Sequence, residues 1–138
     1  MQLEIRIDLI LHATENENKV LEELESLFHI EQKKFQIEQV PGHFNNPILL
    51  ISSKLKKKSA VDFVNIFFSK MKKEDFNEIF DNVNEYVTSS GLSLRISKQK
   101  FISKILTISK EDAIKISIST PVYVKNETKK IYQELMKM

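Results

Sequence analysis

The segment Leu3-Glu4-Ile5-Arg6-Ile7-Asp8-Leu9-Ile10-Leu11 sets Leu3, Ile5, Ile7, Leu9 and Leu11 on one side of an extended chain. Glu4, Arg6 and Asp8 fall on the other. A period of two marks a half-buried strand, and one dry face with one wet face is characteristic of antiparallel sheets. The same pattern returns twice: Leu92, Leu94 and Ile96 alternate with Ser93, Arg95 and Ser97, and Ile114, Ile116 and Ile118 alternate with Lys115, Ser117 and Ser119. Between these anchors, Phe35, Ile37 and Val40 predict a strand ended by Pro41-Gly42, and Ile48 to Ile51 predict another after Pro47. Together the two make a hairpin with a long loop. Ile105 to Ile108 predicts a further short strand.

Helical spacing fills the intervals. Val20, Leu21, Leu24, Leu27 and Phe28 recur every three or four residues opposite Glu22, Glu23 and Glu25. The spacing of Thr14 and Glu17 predicts a capping box ahead of them. Ser59 is placed to cap a second helix, with Asp62 in its first turn and a broad apolar face made by Ala60, Phe63, Val64, Phe67, Phe68 and Met71. After the charged break Lys72 to Asp75, Phe76, Ile79, Phe80 and Val83 predict a third helix or a bent continuation, which Gly91 closes. Asn126 is placed to cap a tail helix carrying Ile131, Tyr132, Leu135 and Met136. The order argues against a doubly wound parallel sheet. It predicts an α+β domain, an antiparallel sheet with helices on one face, over residues 1–120, and a C-terminal extension with an amphipathic helix over 121–138.

With 138 residues, 41% hydrophobic and 29% charged, the chain has one substantial core and room for no second ordinary domain. It contains no cysteine, which excludes disulfides, thiolate metal sites and thiol nucleophiles and fits a reducing interior. No basic-then-apolar leader opens it and no apolar run reaches a membrane span, so a cytoplasmic protein without a membrane partner is expected. Abundant Lys, Glu and Ile fit a thermophile. The net charge of +2 is unevenly spread: residues 1–50 hold four Lys/Arg and nine Asp/Glu, the remainder seventeen and ten. An anionic partner is expected to meet the second part.

No catalytic signature stands out. His12, His29 and His43 lack the paired spacing of metal ligands, and a hydrogen-bonded histidine explains His12 better than a ligand does. The serines lie on outward strand positions without a nucleophile-elbow motif. Acidic pairs such as Glu22-Glu23 and Glu74-Asp75 suit helix surfaces and first turns. Two glycines, Gly42 and Gly91, cannot build a phosphate-cradling loop. No enzyme activity, metal or cofactor is expected. What remains is cationic: Lys54, Lys56, Lys57 and Lys58 between the third strand and the second helix, and Arg95, Lys98, Lys100 and Lys104 following a strand into a turn. Such groups neutralise phosphates without reading bases. Solvated surface lysines that discourage edge pairing are the plainer explanation. The outward strand positions carry Ser, Arg and Lys rather than stacked aromatics, so contacts to RNA backbone, 2′-OH groups and duplex shape are the expected mode.

Three stretches in order carry a family resemblance. They are His12-Ala13-Thr14-Glu15 followed by Lys19-Val20-Leu21-Glu22-Glu23-Leu24, then Gly42-His43-Phe44-Asn45-Asn46-Pro47-Ile48, then Leu94-Arg95-Ile96-Ser97-Lys98-Gln99. Over roughly residues 3–120 the chain resembles an archaeal family of RNA-binding, exosome-subunit-like proteins whose fold is similar to large-subunit ribosomal protein five. The resemblance implies that fold, RNA as partner, a link to RNA processing, and His12, Thr14, Glu15, Gly42, Asn46, Pro47 and Gln99 as family-motif residues. The leading expectation is a non-catalytic protein contacting RNA backbone through the two basic clusters. The alternative is a protein-interaction or assembly module, including a homodimer, built on the acidic first helix, the basic second half and the amphipathic tail.

Overall fold

Because Leu3, Ile5, Ile7, Leu9 and Leu11 are all buried while the residues between them are not, the first strand carries the centre of the sheet. A computed structural model describes residues 2–12, 16–42, 46–111 and 113–138. In chain order the elements are β1 (Glu4–His12), α1 (Glu17–Phe28), β2 (Gln36–Pro41), β3 (Pro47–Lys56), α2 (Lys57–Lys70), α3 (Lys73–Asp81), α4 (Val83–Tyr86), β4 (Val87–Thr88), β5 (Gly91–Ser97), α5 (Lys98–Ile102), β6 (Ala113–Ser119) and α6 (Thr128–Met136). Six strands form one sheet in the order β2-β3-β1-β6-β5-β4, every neighbouring pair antiparallel. The fold is α+β, as the alternation requires.

Register aligns the dry positions. Ile5 lies opposite Leu55 and Ile118, Ile7 opposite Ser53 and Ile116, and Leu94 opposite Ile116. One face of the sheet is therefore apolar apart from Ser53, whose buried hydroxyl donates to the Lys34 carbonyl at 3.0 Å, and the helices bury it. Aromatic rings join that layer: Phe28 of α1 lies 4.5 Å from Phe63 of α2 and stacks at 6.0 Å on Phe101 of α5, while Phe63 and Phe67 stack at 5.3 Å. Phe101 thereby holds the short α5 against α1.

Local chemistry departs from expectation at the element ends. Helix α1 starts at Glu17, and its cap is Asn16, whose Oδ1 accepts from the Lys19 N–H at 3.2 Å. Thr14 of the expected capping box lies outside the described residues. Helix α2 starts at Lys57, so Ser59 is inside its first turn and donates to the Lys56 carbonyl at 2.8 Å, and Asp62 falls beyond that turn. Strand β3 runs on to Lys56 because its alternation continues through Ile51, Ser53 and Leu55. The segment at Ile105–Ile108 contributes a single bridge, Ile96 to Ile108, rather than a strand. Asn126 sits in a 3-10 turn, Lys125–Glu127, and does not cap α6, whose cap position is Glu127 with no side-chain hydrogen bond. The tail helix packs on α2 and α4 and buries Tyr132, Leu135 and Met136 in the same core as the rest of the chain.

Two glycines answer close approaches. Gly91 has φ +98° at the β4–β5 turn, and a Cβ there would run into the Ile118 carbonyl oxygen. At Gly42, whose N–H donates to the Asn46 carbonyl at 2.8 Å, a Cβ would meet that same oxygen and the Ile48 side chain.

Candidate functional site

The face of the sheet away from the helices is open. Its outward positions follow from the same alternation: Glu4, Arg6, Asp8, Ile10 and His12 on β1, Leu50, Ser52, Lys54 and Lys56 on β3, Ser93 and Arg95 on β5, and Lys115 and Ser117 on β6. Register then makes rows. Lys54, Arg6, Ser117 and Ser93 form one, and Ser52, Asp8, Lys115 and Arg95 form the next. Towards the other end, Ile10 faces Leu50 and His12 faces Ile48, leaving Ile10 about half exposed.

Charge along the rows is unequally balanced. Arg6 donates from Nε to Asp8 Oδ2 at 2.9 Å, and Lys54 and Lys56 stand 3.8 and 3.9 Å from the two carboxylate oxygens of Glu4. These pairs are solvent-exposed, so their mutual stabilisation is small. Arg95 and Lys115 differ. They are direct cross-strand partners, both exposed, and neither has an ion-pair partner among the described residues. Asp8, the other neighbour of Lys115, is already engaged by Arg6. Like charges directly opposite one another in a sheet are destabilising, so this position accumulates positive potential that an external anion would relieve. Both side chains line a hollow of about 640 Å³ over the middle of the face, which also reaches Ile10, His12 and Leu50.

The two sequence-defined clusters do not form one strip. Lys54 and Arg95 share the open face, with Lys56 at its end. Lys57 and Lys58 are exposed in the first turn of α2, where cations oppose the positive helix end; Lys57 also takes a left-handed backbone, φ 56°. Lys100 and Lys104 belong to α5 and the turn after it, on the helix layer, and Lys104 reaches Glu23 of α1 at 3.4 Å. Lys98 is 1% exposed, so it is not a surface cation; its Nζ donates to the Ile10 carbonyl at 2.6 Å. Arg6 and Lys115 were not singled out as site residues. Their outward alternation on β1 and β6 was the available signal.

The family-motif residues gather at one end of the sheet. His12 ends β1, Gly42, Asn46 and Pro47 close the adjacent β2–β3 connection, and Lys98 and Gln99 open α5 where β5 ends. Thr14 and Glu15 lie outside the described residues. Among the described residues no group of His, Asp and Glu is arranged to hold a metal ion, and no helix is long and apolar enough to cross a membrane.

Comparison with known proteins gives this geometry a context. Residues 4–120, from the first strand to just past the last, match the sequence model of a family described as RNA binding. The chain is 31% identical over 126 residues to an RNA-binding protein of Pyrococcus abyssi, covering 86% of this chain and 82% of that protein. Among solved structures it resembles a protein from Sulfolobus solfataricus with a TM-score of 0.78 and 25% identity, covering 97% of this chain and 98% of the other. A DUF54 protein from Methanothermobacter thermautotrophicus has the same fold, with a TM-score of 0.77, 22% identity and 99% of each chain covered. Matched over its whole sheet and sharing nearly a third of its residues with that Pyrococcus relative, the chain belongs to this archaeal family of RNA-binding proteins.

Proposed function

We propose that the protein binds structured RNA without chemically altering it, and that the open face of the sheet receives the phosphate backbone. The observation that carries this reading is the exposed Arg95–Lys115 pair, two cations held opposite each other with no ion pair to a carboxylate among the described residues. Arg6 and Lys54, in the adjacent row, widen the cationic area toward β3, where Asp8 and Glu4 moderate their charge. Ser93 on β5 and Ser119 on β6, both part-exposed, add hydroxyls suited to phosphate and 2′-OH oxygens, whereas Ser117 is buried. Membership of an RNA-binding family supports the choice of RNA among polyanions. The resemblance to exosome-subunit-like proteins adds RNA processing as the context.

Packing of α6 within its own domain takes one feature away from the assembly reading, because Tyr132, Leu135 and Met136 are already covered. Salt titration tests the RNA reading. Each phosphate neutralised contributes about −0.7 to −0.9 to the slope of log K against log salt. Binding of a structured RNA should therefore weaken steeply with salt, and the Arg95→Gln/Lys115→Gln variant should have a slope shallower by about 1.5. A wild-type affinity that does not change with salt would refute phosphate recognition.

A further inference from the structure

No strand position among the described residues carries a Phe, Tyr or Trp side chain, but one tyrosine stands at the rim of the open face. Tyr86 ends α4, is part-buried against the core, and lines a hollow of about 610 Å³ together with Glu85, Arg95, Ile108, Lys110 and Lys115. That volume is in the range of about 300–1,000 Å³ typical of small-ligand pockets. Arg95 and Lys115 line this hollow and the one over the middle of the face alike, so the two adjoin.

The walls are fastened. Ile108 bridges to Ile96, and its N–H donates to Asp75 Oδ2 at 3.1 Å. The Ser109 N–H donates to the Arg95 carbonyl at 2.8 Å, and the Tyr86 hydroxyl donates to Glu78 Oε1 at 3.4 Å. Preformed walls lower the ordering cost of binding. The lining is also segregated by chemistry, with Tyr86 and Ile108 apolar, Arg95, Lys110 and Lys115 cationic, and Glu85 an acceptor that suits the N–H groups of a base and repels a phosphate.

We infer that this hollow takes one unpaired nucleotide of the bound RNA, its base against Tyr86 and Ile108 and its phosphate at Arg95 and Lys115. The inference rests on the sheet-face reading above and adds a preference to it. A paired base keeps its faces stacked inside the duplex, whereas a bulged or looped base can be splayed out onto an aromatic ring. Stacking on a single aromatic then distinguishes an RNA with an unpaired nucleotide from a continuous duplex.

Two blunt-ended RNA duplexes of annealed strands, identical except for one bulged nucleotide, test the inference by fluorescence anisotropy. The bulged RNA should bind about tenfold more tightly, the size of one base–aromatic stack. Tyr86→Phe should keep that preference and Tyr86→Leu should abolish it. Lys110→Glu, on an exposed side chain, should weaken the bulged RNA more than the paired one. Equal affinity of the native protein for both RNAs, or a preference that survives Tyr86→Leu and Lys110→Glu, overturns the pocket and leaves sheet-face binding standing. Binding of neither RNA removes both.

Discussion

The ammonium of Lys98 donates to the carbonyl oxygen of Ile10 at 2.6 Å, joining the start of α5 to the backbone near the end of β1. A lysine that is 1% exposed and hydrogen-bonded to backbone is a structural group. Lys98→Met should therefore lower stability by about 1–3 kcal/mol in urea unfolding, the cost of losing a buried donor. RNA affinity of the folded variant should change by less than about twofold, since no phosphate contact is lost.

Asp75 is a second fastening point. One of its oxygens accepts from the Thr107 hydroxyl at 2.6 Å and from the Ile108 N–H at 3.1 Å, tying the chain before β6 to α3. Asp75→Ala should cost about 1.5–3 kcal/mol, the range for hydrogen bonds to a charged group. Amide exchange should accelerate most at Ile108, because its carboxylate acceptor is gone.

These two contacts show where sequence stopped being informative. Alternation in β1, β5 and β6 was legible because the side-chain period of a strand is a local property, and it specified the antiparallel α+β sheet with its dry face correctly. The cations were harder. Reading Arg95, Lys98, Lys100 and Lys104 as one group follows their closeness along the chain, but β5 ends at Ser97 and a helix begins. At that junction the period changes from two to 3.6, so Arg95 stays on the open face, Lys98 turns inward and the other two join the helix layer. The acceptor of Lys98 is 88 residues away in sequence, beyond the reach of any local pattern. Arg6, Lys115 and Arg95 were each readable as outward residues, yet their adjacency depends on β6 lying between β1 and β5. Helix caps failed for a related reason: Ser59 and Asn126 are good capping residues, but the helices start two residues away on either side of them.

The tail helix is part of the folded core and should behave so. Leu135 is 1% exposed. Leu135→Ala should destabilise the protein by about 2–5 kcal/mol, the usual cost of truncating a buried leucine. Ending the chain near Val124 should lower the melting temperature sharply, since it also removes Tyr132 and Met136 from the core.

Alkaline unfolding should report the buried tyrosine. Burial lifts the Tyr132 phenol above its ordinary value, with the backbone of Thr120 opposing the shift, and burial followed by the Glu78 charge lifts Tyr86 as well. A group whose folded value is raised stabilises fully below its unfolded value, about 10 for tyrosine. That contribution is lost as the pH rises through the folded value. Stability measured from pH 9 upward should therefore fall, and Tyr132→Phe should flatten part of the fall while Tyr86 sustains the rest.

The account depends most on which side of the sheet meets RNA, and a paired charge reversal separates the two sides. Arg95→Glu/Lys115→Glu alters the open face, and Lys100→Glu/Lys104→Glu makes an equal change of charge on the helix layer. With a structured RNA at fixed low salt, the first variant should lose affinity by about a hundredfold or more, and the second by only a few-fold through the change in net charge. Equal losses, or a larger loss for the Lys100/Lys104 variant, would contradict the open face as the binding surface.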